Sequence, residues 1–110
     1  MSAISLSRVA ELNDSFRRTF VGGLVYVTPG VEALRQPDKA ELLRKVREFD
    51  AFEYDNDPYQ EHDFGSVIQA GTKFFFKLDY YDRACKAASP DASNPEVTTR
   101  VLTIMRADEY

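Results

Sequence analysis

Residues 64–80 read FGSVIQAGTKFFFKLDY, and their pattern is the clearest indication of the fold in the sequence. Two runs rich in β-branched and aromatic residues, Phe64–Gln69 and Thr72–Tyr80, flank Ala70 and Gly71, where glycine supplies the positive φ of a tight turn. Alternate positions of the second run form two sets: Phe74, Phe76, Leu78 and Tyr80, and Lys73, Phe75, Lys77 and Asp79. Because alternate strand residues point to opposite faces, we predict a β-hairpin whose first set faces the core.

An amphipathic helix is predicted before the hairpin, over Ser5–Thr19. Its apolar stripe consists of residues at helical spacing: Leu6, Val9, Leu12, Phe16 and Phe20. Charged residues, among them Asp14, occupy the other positions. We therefore expect the stripe to be buried and Asp14 to lie away from the buried side.

A second helix is predicted where Asp38 precedes Glu41 with the spacing of an N-cap and its reciprocal acid. It should fray near Asp50, where acidic residues begin. The other predicted elements are a strand over Leu24–Thr28, one helical turn over Val31–Arg35 and a central strand over Thr98–Arg106. These elements predict a single α+β domain over residues 1–110, an antiparallel sheet of about four strands with two helices packed on one face.

The composition limits the functional classes. The 110 residues carry a net charge of −4, and the pI is near 4.9. Direct nucleic-acid binding is not expected, because nucleic-acid binders carry a clustered basic footprint. Cys85 and His62, the single residues of their kinds, cannot form a Cys/His zinc site within one chain. No signal peptide or membrane span is predicted, so a cytoplasmic location is expected.

Acidic residues concentrate at the centre of the chain. The segment Glu48–Asp63 contains seven Asp or Glu and no Lys or Arg. Like charges this close repel each other, so the segment needs solvent, a cation or a basic partner. We name residues 48–65 the acidic loop, and we predict that Glu53–Asp63 is ordered.

Divalent-cation binding is one interpretation of the acidic loop, since carboxylate and amide oxygens are the ligands of hard cations. Oxygen-bearing side chains recur at every second position, as at the start of a calcium loop: Asp55, Asp57, Tyr59 and Glu61. Gln60 stands where such a loop needs glycine, and no glutamate closes it. The match fails, and we predict neither a metal site nor a cofactor.

Acid/base catalysis is a second interpretation, because histidine readily exchanges protons near neutral pH and Glu61 and Asp63 flank His62. Adjacent strand residues point to opposite faces, so the two acids cannot both contact the ring if the segment is extended. A structural histidine that donates to a carbonyl or a carboxylate explains the same residues.

The hairpin register adds a further cluster. It places Phe64 opposite Lys77–Asp79, which brings Asp63 and His62 towards Asp79 and Tyr81. Such a cluster suits either a hydrolytic pocket or a polar network that holds the loop. The alternative function, a small hydrolase or a metal-assisted enzyme, uses Asp57, Glu61, His62, Asp63 and Asp79. No nucleophile motif supports an enzyme.

A protein-binding surface is the interpretation that we favour. Acids interleaved with aromatic residues form a charged rim around anchoring side chains, which suits a basic protein partner. The candidate binding residues are Asp55, Asp57, Tyr59, Glu61, His62, Asp63 and Tyr81. The sequence leaves a homodimer open.

Several strings along the chain form a pattern of their own. They are Asn13–Phe20, Gly22–Gly23, Thr28–Val31, Asp55–Pro58, Glu61–Gly65, Lys77–Asp82 and Thr99–Met105. Together they resemble the small bacterial family called domain of unknown function 3768. The resemblance implies no established activity and no catalytic residue. Family members are similar to accessory proteins of alphaproteobacterial plasmids and integrative elements, which implies an accessory or anti-defence role.

Overall fold

The computed structural model describes residues 7–110, so Ser5 and Leu6 of the predicted first helix lie outside the described residues. The elements are, in chain order, α1 (Arg8–Thr19), β1 (Gly23–Val27), α2 (Pro29–Glu32), α3 (Gln36–Glu48), β2 (Phe64–Gln69), β3 (Thr72–Tyr81) and β4 (Thr99–Arg106), with 3-10 turns at Pro95–Val97 and Ala107–Glu109. The predicted α+β class is confirmed.

Four strands form one sheet in the order β1-β4-β3-β2. β3 pairs antiparallel with both β2 and β4, whereas β1 pairs parallel with β4. The sheet is therefore mostly antiparallel, as predicted, and β4 is central. The parallel pair was not predicted, because alternation of side chains marks a strand without giving its direction.

The hairpin is confirmed in turn and register. Ala70 and Gly71 have φ of 52° and 78°, the two left-handed residues that a two-residue hairpin turn uses. Phe64 pairs with Lys77, and Gly65 pairs with Phe76. Phe74, Phe76 and Leu78 are buried on the predicted face.

The core lies between this face of the sheet and the helices. Its buried residues are Phe16 from α1, Val31 from α2, Leu42 and Val46 from α3, and Phe74, Phe76, Leu78, Leu102 and Ile104 from the sheet. Three helices, instead of the two predicted, therefore cover one face, because the turn at Pro29–Glu32 contributes its own buried side chain.

α3 begins earlier than predicted. Its N-cap is Arg35, and Pro37 lies within the first turn, so the prediction of Asp38 as N-cap is wrong. Proline is accepted there because the first helical N–H groups have no partner within the helix. Asp38 accepts a hydrogen bond from Gln69 Nε2 at 3.0 Å instead. The helix ends at Glu48, close to the predicted end.

The buried side of α1 differs from the predicted stripe. Asn13, Asp14 and Arg17 are buried, whereas Leu12 is half-buried. The prediction that Asp14 lies away from the buried side is wrong. Buried polar groups are tolerated when they are hydrogen-bonded, and these residues bond to each other, to the end of α3 and to the acidic loop.

Candidate functional site

The acidic loop joins α3 to β2, and the Asn56 side chain closes its first turn. Asn56 Oδ1 accepts from the Glu53 N–H at 2.9 Å, and Nδ2 donates to the Ala51 carbonyl at 3.2 Å. The Asp57 N–H donates to the Glu53 carbonyl at 2.8 Å. An asparagine that bonds nearby backbone groups in this way fixes a turn. The start of the loop therefore has a defined shape.

The buried Asp57 side chain holds the backbone of the second half of the loop. The residue is only 4% exposed, and its two carboxylate oxygens accept from the N–H groups of Glu61 and His62 at 3.0 and 3.1 Å. Gln60 and His62 have φ of 56° and 57°, the left-handed region that costs a non-glycine residue roughly 1–2 kcal/mol. The two charge-assisted bonds offset this cost. Asp57, predicted as a binding residue, is thus a structural clamp.

His62 packs against α1. Its Nδ1 lies 3.0 Å from both carboxylate oxygens of Asp14, and its Nε2 lies 3.8 Å from Asp57 Oδ2. The ring stacks on Phe52, with 4.1 Å between centroids and 5° between planes. The acids that face the imidazole nitrogens are therefore Asp14 and Asp57, and not its sequence neighbours.

Arg17 connects Asp14 to the end of α3. Arg17 is fully buried, and its Nη2 donates to Asp14 Oδ1 at 3.0 Å. Its Nη1 donates to the carbonyls of Val46 and Arg47 at 2.8 and 3.1 Å, which satisfies acceptors of the last helical turn. Burial lowers the pKa of Arg17, and the Asp14 carboxylate opposes that change.

A second network ties the loop to the sheet. Asn13 Nδ2 donates to the Glu61 carbonyl at 3.0 Å and to Tyr80 Oη at 2.8 Å, and the Tyr80 hydroxyl donates to Glu61 Oε1 at 2.8 Å. Burial raises the pKa of Tyr80, so the phenol stays protonated and keeps this bond. Glu61 is therefore held by α1 and β3 together.

The structure separates His62 from Asp79 and Tyr81. The backbone just before β2 lies beside the end of β3, as predicted, since the Leu78 N–H donates to the Asp63 carbonyl at 2.9 Å. Asp79 lies on the face of β3 opposite the core, where its carboxylate accepts from Lys77 Nζ at 2.8 Å. Tyr81 shares that face because it is two residues further along the strand. His62 lies on the helix side, so the predicted pocket is divided by the sheet.

The Asp63 side chain is half-buried. Burial raises the pKa of its carboxyl, and the charges of Glu61, Asp57 and Asp79 act in the same direction. Within residues 7–110 it has no salt-bridge partner. No three His, Cys, Asp or Glu side chains of the described residues lie in an arrangement that could hold a metal ion.

The exposed part of the loop includes two tyrosines and several acids. Tyr54 and Tyr59 are 75% and 83% exposed. Glu53 and Asp55, on either side of Tyr54, are exposed and form no salt bridge with any residue that the structure describes. Glu48, at the start of the loop, is paired with Arg44 at 2.8 Å. Unpaired carboxylates therefore flank Tyr54 on both sides.

The comparison with protein families decides the classification. A family model described as "Protein of unknown function (DUF3768)" matches residues 27–109. The chain belongs to the DUF3768 family. Comparison with curated proteins and with solved structures gives no match. In this DUF3768 chain no helix of the described part is long and apolar enough to cross a membrane.

The DUF3768 match contains the acidic loop and the whole hairpin. It begins after α1, so two of the strings that suggested the family, Asn13–Phe20 and Gly22–Gly23, lie outside residues 27–109. The family match therefore covers the acidic loop but not the α1 residues that hold it.

Sequence reasoning missed three residues of the site. Asn13, Asp14 and Arg17 were assigned to a helix by their apolar neighbours, and their own contacts were not predicted. All three belong to the string Asn13–Phe20 that carried part of the DUF3768 resemblance. That string was the available signal, because polar residues at helical spacing otherwise indicate a solvated face.

Proposed function

We propose that this DUF3768 chain is a non-enzymatic protein-binding module whose acidic loop docks a basic segment of a partner protein. One observation carries the proposal. Two largely exposed tyrosines, Tyr54 and Tyr59, project from a loop whose backbone is fixed by Asn56 and Asp57, and the unpaired carboxylates of Glu53 and Asp55 flank Tyr54. Exposed tyrosines in a charged surrounding are typical anchors of protein interfaces.

The fixed shape of the loop supports binding. A loop that must order itself when it binds loses conformational entropy, and that loss weakens the complex. Here Asn56 closes one turn, Asp57 closes the next, and Asn13 holds the Glu61 carbonyl. Tyr54 and Tyr59 are thus presented from a scaffold that is already folded.

The charge of the loop selects the partner. Glu53 and Asp55 have no cation beside them in the described residues, so Lys or Arg side chains of a partner would gain the interaction that the chain itself does not supply. Exposed charges act mainly on the association rate and are screened by salt. We therefore expect the complex to weaken as ionic strength rises.

The hydrolase alternative has less support. The nitrogens of His62 face Asp14 and Asp57, and Asp57 is engaged by two backbone N–H groups. Asp79 lies on the other face of the sheet and binds Lys77. Groups that are satisfied by internal contacts and point in different directions do not form a nucleophile–base pair.

The resemblance to accessory proteins of mobile elements extends the proposal. A basic partner whose own ligand is nucleic acid would present the Lys and Arg residues that an acidic loop can occupy. We propose that the chain acts in the bacterial cytoplasm as an accessory protein of this kind, of the anti-restriction or anti-defence type.

Affinity capture with matched variants tests the binding surface. The test variant is Glu53→Lys with Asp55→Lys, because both residues are exposed, whereas a change at Asp57 would disrupt the loop. The control is Glu96→Lys with Asp108→Lys, two exposed acids outside the loop with the same change in charge. Each protein is immobilised and exposed to a native-host extract at low and at raised salt.

The expected result is one or more basic proteins that the wild type and the control retain and the test variant loses. A second variant, Tyr59→Ser, should weaken the same interaction without a change in charge. Equal recovery by wild type and test variant, or recovery that does not respond to salt, would contradict the proposal. Circular dichroism of each variant establishes that the fold is intact.

A further inference from the structure

The sheet has one face that no helix of residues 7–110 covers. Every core residue of β3 and β4 has an even number and faces the helices, as Leu78 and Leu102 do. Since alternate strand residues point to opposite faces, the register places two sets on the other side. They are the odd-numbered residues of β3 and β4 and the even-numbered residues of β1 and β2. We name these residues the open face.

Exposed apolar side chains concentrate on the open face. Five of the eight large apolar side chains that are exposed in residues 7–110 belong to it or pack against it. They are between 37% and 75% exposed: Leu24, Tyr26, Ile68, Tyr81 and Tyr110. The Tyr110 ring packs against the open-face residues Phe64 and Phe75, with 5.8 and 5.7 Å between ring centres. The five side chains present roughly 500 Å² to water, and an apolar patch of that size commonly marks an interaction surface.

The open face is separate from the core. Val101 and Met105 are buried on the central strand β4, yet neither belongs to the hydrophobic cluster between the sheet and the helices. An apolar sheet face is stable when another layer of structure packs against it. Residues 7–110 supply three helices to one face and no layer to the other. Residues 1–6 are too few to form a layer over four strands, so we expect another chain to supply it.

The charges of the open face fit a second copy of the chain. Among the described strand positions of this face, the charged residues are Lys73, Lys77 and Asp79. Lys77 Nζ lies 2.8 Å from Asp79 Oδ2, and both side chains remain about one-third exposed, so each can contact a further charge. The chain carries a net charge of −4, but the open face has no excess of acid that would repel a second copy. A strongly charged partner of either sign would gain little here.

We propose that a second copy of the chain covers the open face, with the two sheets stacked across a two-fold axis. The axis crosses β3 between Lys77 and Asp79, so that Lys77 of each copy lies opposite Asp79 of the other. Two-fold symmetry requires such a self-complementary surface, and stacked sheets bury their apolar faces in this way. With its polar and half-buried residues, the open face offers on the order of 800 Å² per copy, as a standard stable interface does. The proposal does not depend on the acidic loop or on the partner proposed for it.

Sedimentation velocity of the full chain tests the association. The wild type should reach twice the chain mass of 12.5 kDa at high concentration and dissociate on dilution. Tyr26→Lys with Tyr81→Lys introduces two charges into the open face and should raise the dissociation constant at least about tenfold. Tyr54→Lys with Tyr59→Lys makes the same change in the acidic loop, outside the open face, and should leave the association unchanged.

Charge reversal tests how the two copies face each other. Lys77→Asp alone and Asp79→Lys alone would each place like charges opposite each other across the axis. Each variant should therefore associate at least about tenfold more weakly than the wild type. In an equimolar mixture the acids of one variant lie opposite the lysines of the other, so a heterodimer should form.

Circular dichroism of each variant establishes that the fold is intact. A wild-type mass of 12.5 kDa at every concentration would overturn the proposal, because no second copy would then cover the open face. Equal weakening by the two pairs of tyrosine substitutions would place the contact elsewhere and would overturn it too. So would a mixture of the two charge variants that associates no better than either variant alone.

Discussion

His62 Nδ1 lies 3.0 Å from both carboxylate oxygens of Asp14, although 48 residues separate the two in the chain. Asp14 also binds Arg17, which in turn binds the last carbonyls of α3. One buried carboxylate therefore joins the first helix, the end of the third helix and the acidic loop. The shape of the loop is encoded as much in α1 as in its own residues.

Replacement of Asp14 by Ala should strongly destabilise the chain. Arg17 would remain fully buried with no carboxylate, and breaking a buried ion pair from one side costs about 3–5 kcal/mol. Urea denaturation followed by circular dichroism measures the loss. Asp14→Asn keeps the shape and some hydrogen bonds, so its loss should be smaller.

Glu11→Ala is the matched control for Asp14. Glu11 lies on the same helix, but it is exposed and its nearest cation, Arg8 Nη1, is 3.8 Å away. Exposed pairs contribute about 1 kcal/mol or less. Equal losses for Glu11→Ala and Asp14→Ala would show that the buried network does not stabilise the fold as described.

Asp57→Ala should loosen the second half of the acidic loop. Each charge-assisted bond from the Glu61 and His62 N–H groups contributes about 1.5–3 kcal/mol, and both would be lost. Hydrogen exchange should therefore accelerate at these two amides. Asp55→Ala removes an exposed carboxylate two residues away and should leave their exchange unchanged. Similar protection in both variants would exclude Asp57 as the clamp.

The hairpin could be predicted because its information is local. Phe74, Phe76 and Leu78 alternate with polar or half-buried residues, and Gly71 supplies the turn, so pattern and turn chemistry agree. The parallel pairing of β1 with β4 could not be predicted in the same way. It joins Gly23 to Arg100, and no short-range pattern records which distant strand a strand will meet.

The sequence predicted where the candidate site lies in the chain, but not which side chains contact each other there. The run of acids marked the loop, yet it could not show that Asp57 turns inward while Asp55 faces solvent. Left-handed residues at Gln60 and His62 break the alternation on which the predicted faces depended. For Asp14 and Arg100 the sequence predicted only the helix or strand that contains them, because their hydrogen bonds join residues far apart in the chain.

Asp63→Asn should stabilise the chain at neutral pH. Burial raises the pKa of this carboxyl in the folded chain, so the unfolded chain releases the proton first. The free energy of unfolding therefore falls as pH rises from the unfolded pKa through the folded pKa. The variant lacks this loss and should gain up to about 1 kcal/mol at neutral pH, since solvent screens a half-exposed group.

Urea denaturation of wild type and Asp63→Asn across the acidic range tests that sign. The two curves should agree below the unfolded pKa and separate as pH rises, with the variant above the wild type. Asp55→Asn, at an exposed position of the same loop, serves as the control and should follow the wild type more closely. A variant that loses stability with rising pH as the wild type does would contradict the assignment.

Gly65→Ala should destabilise the hairpin by overpacking. A Cβ at Gly65 would overlap the Cε2 and Cζ atoms of Phe76, and Phe76 is fully buried between sheet and helices. Because the ring cannot move freely, the added methyl group should cost about 1–3 kcal/mol. Ser66→Ala, at the exposed neighbouring position, should change stability by about 0.5 kcal/mol or less.

A double-mutant cycle with Phe76→Leu separates overpacking from a loss of strand propensity. Leucine is smaller than phenylalanine at the point where the new methyl group would sit, so Gly65→Ala should cost less in the Phe76→Leu background than in the wild type. A propensity effect depends on the backbone at Gly65 and would be the same in both backgrounds. Equal costs would therefore reject the steric explanation, and a coupling of the expected sign would place the Phe76 ring directly over Gly65 in solution.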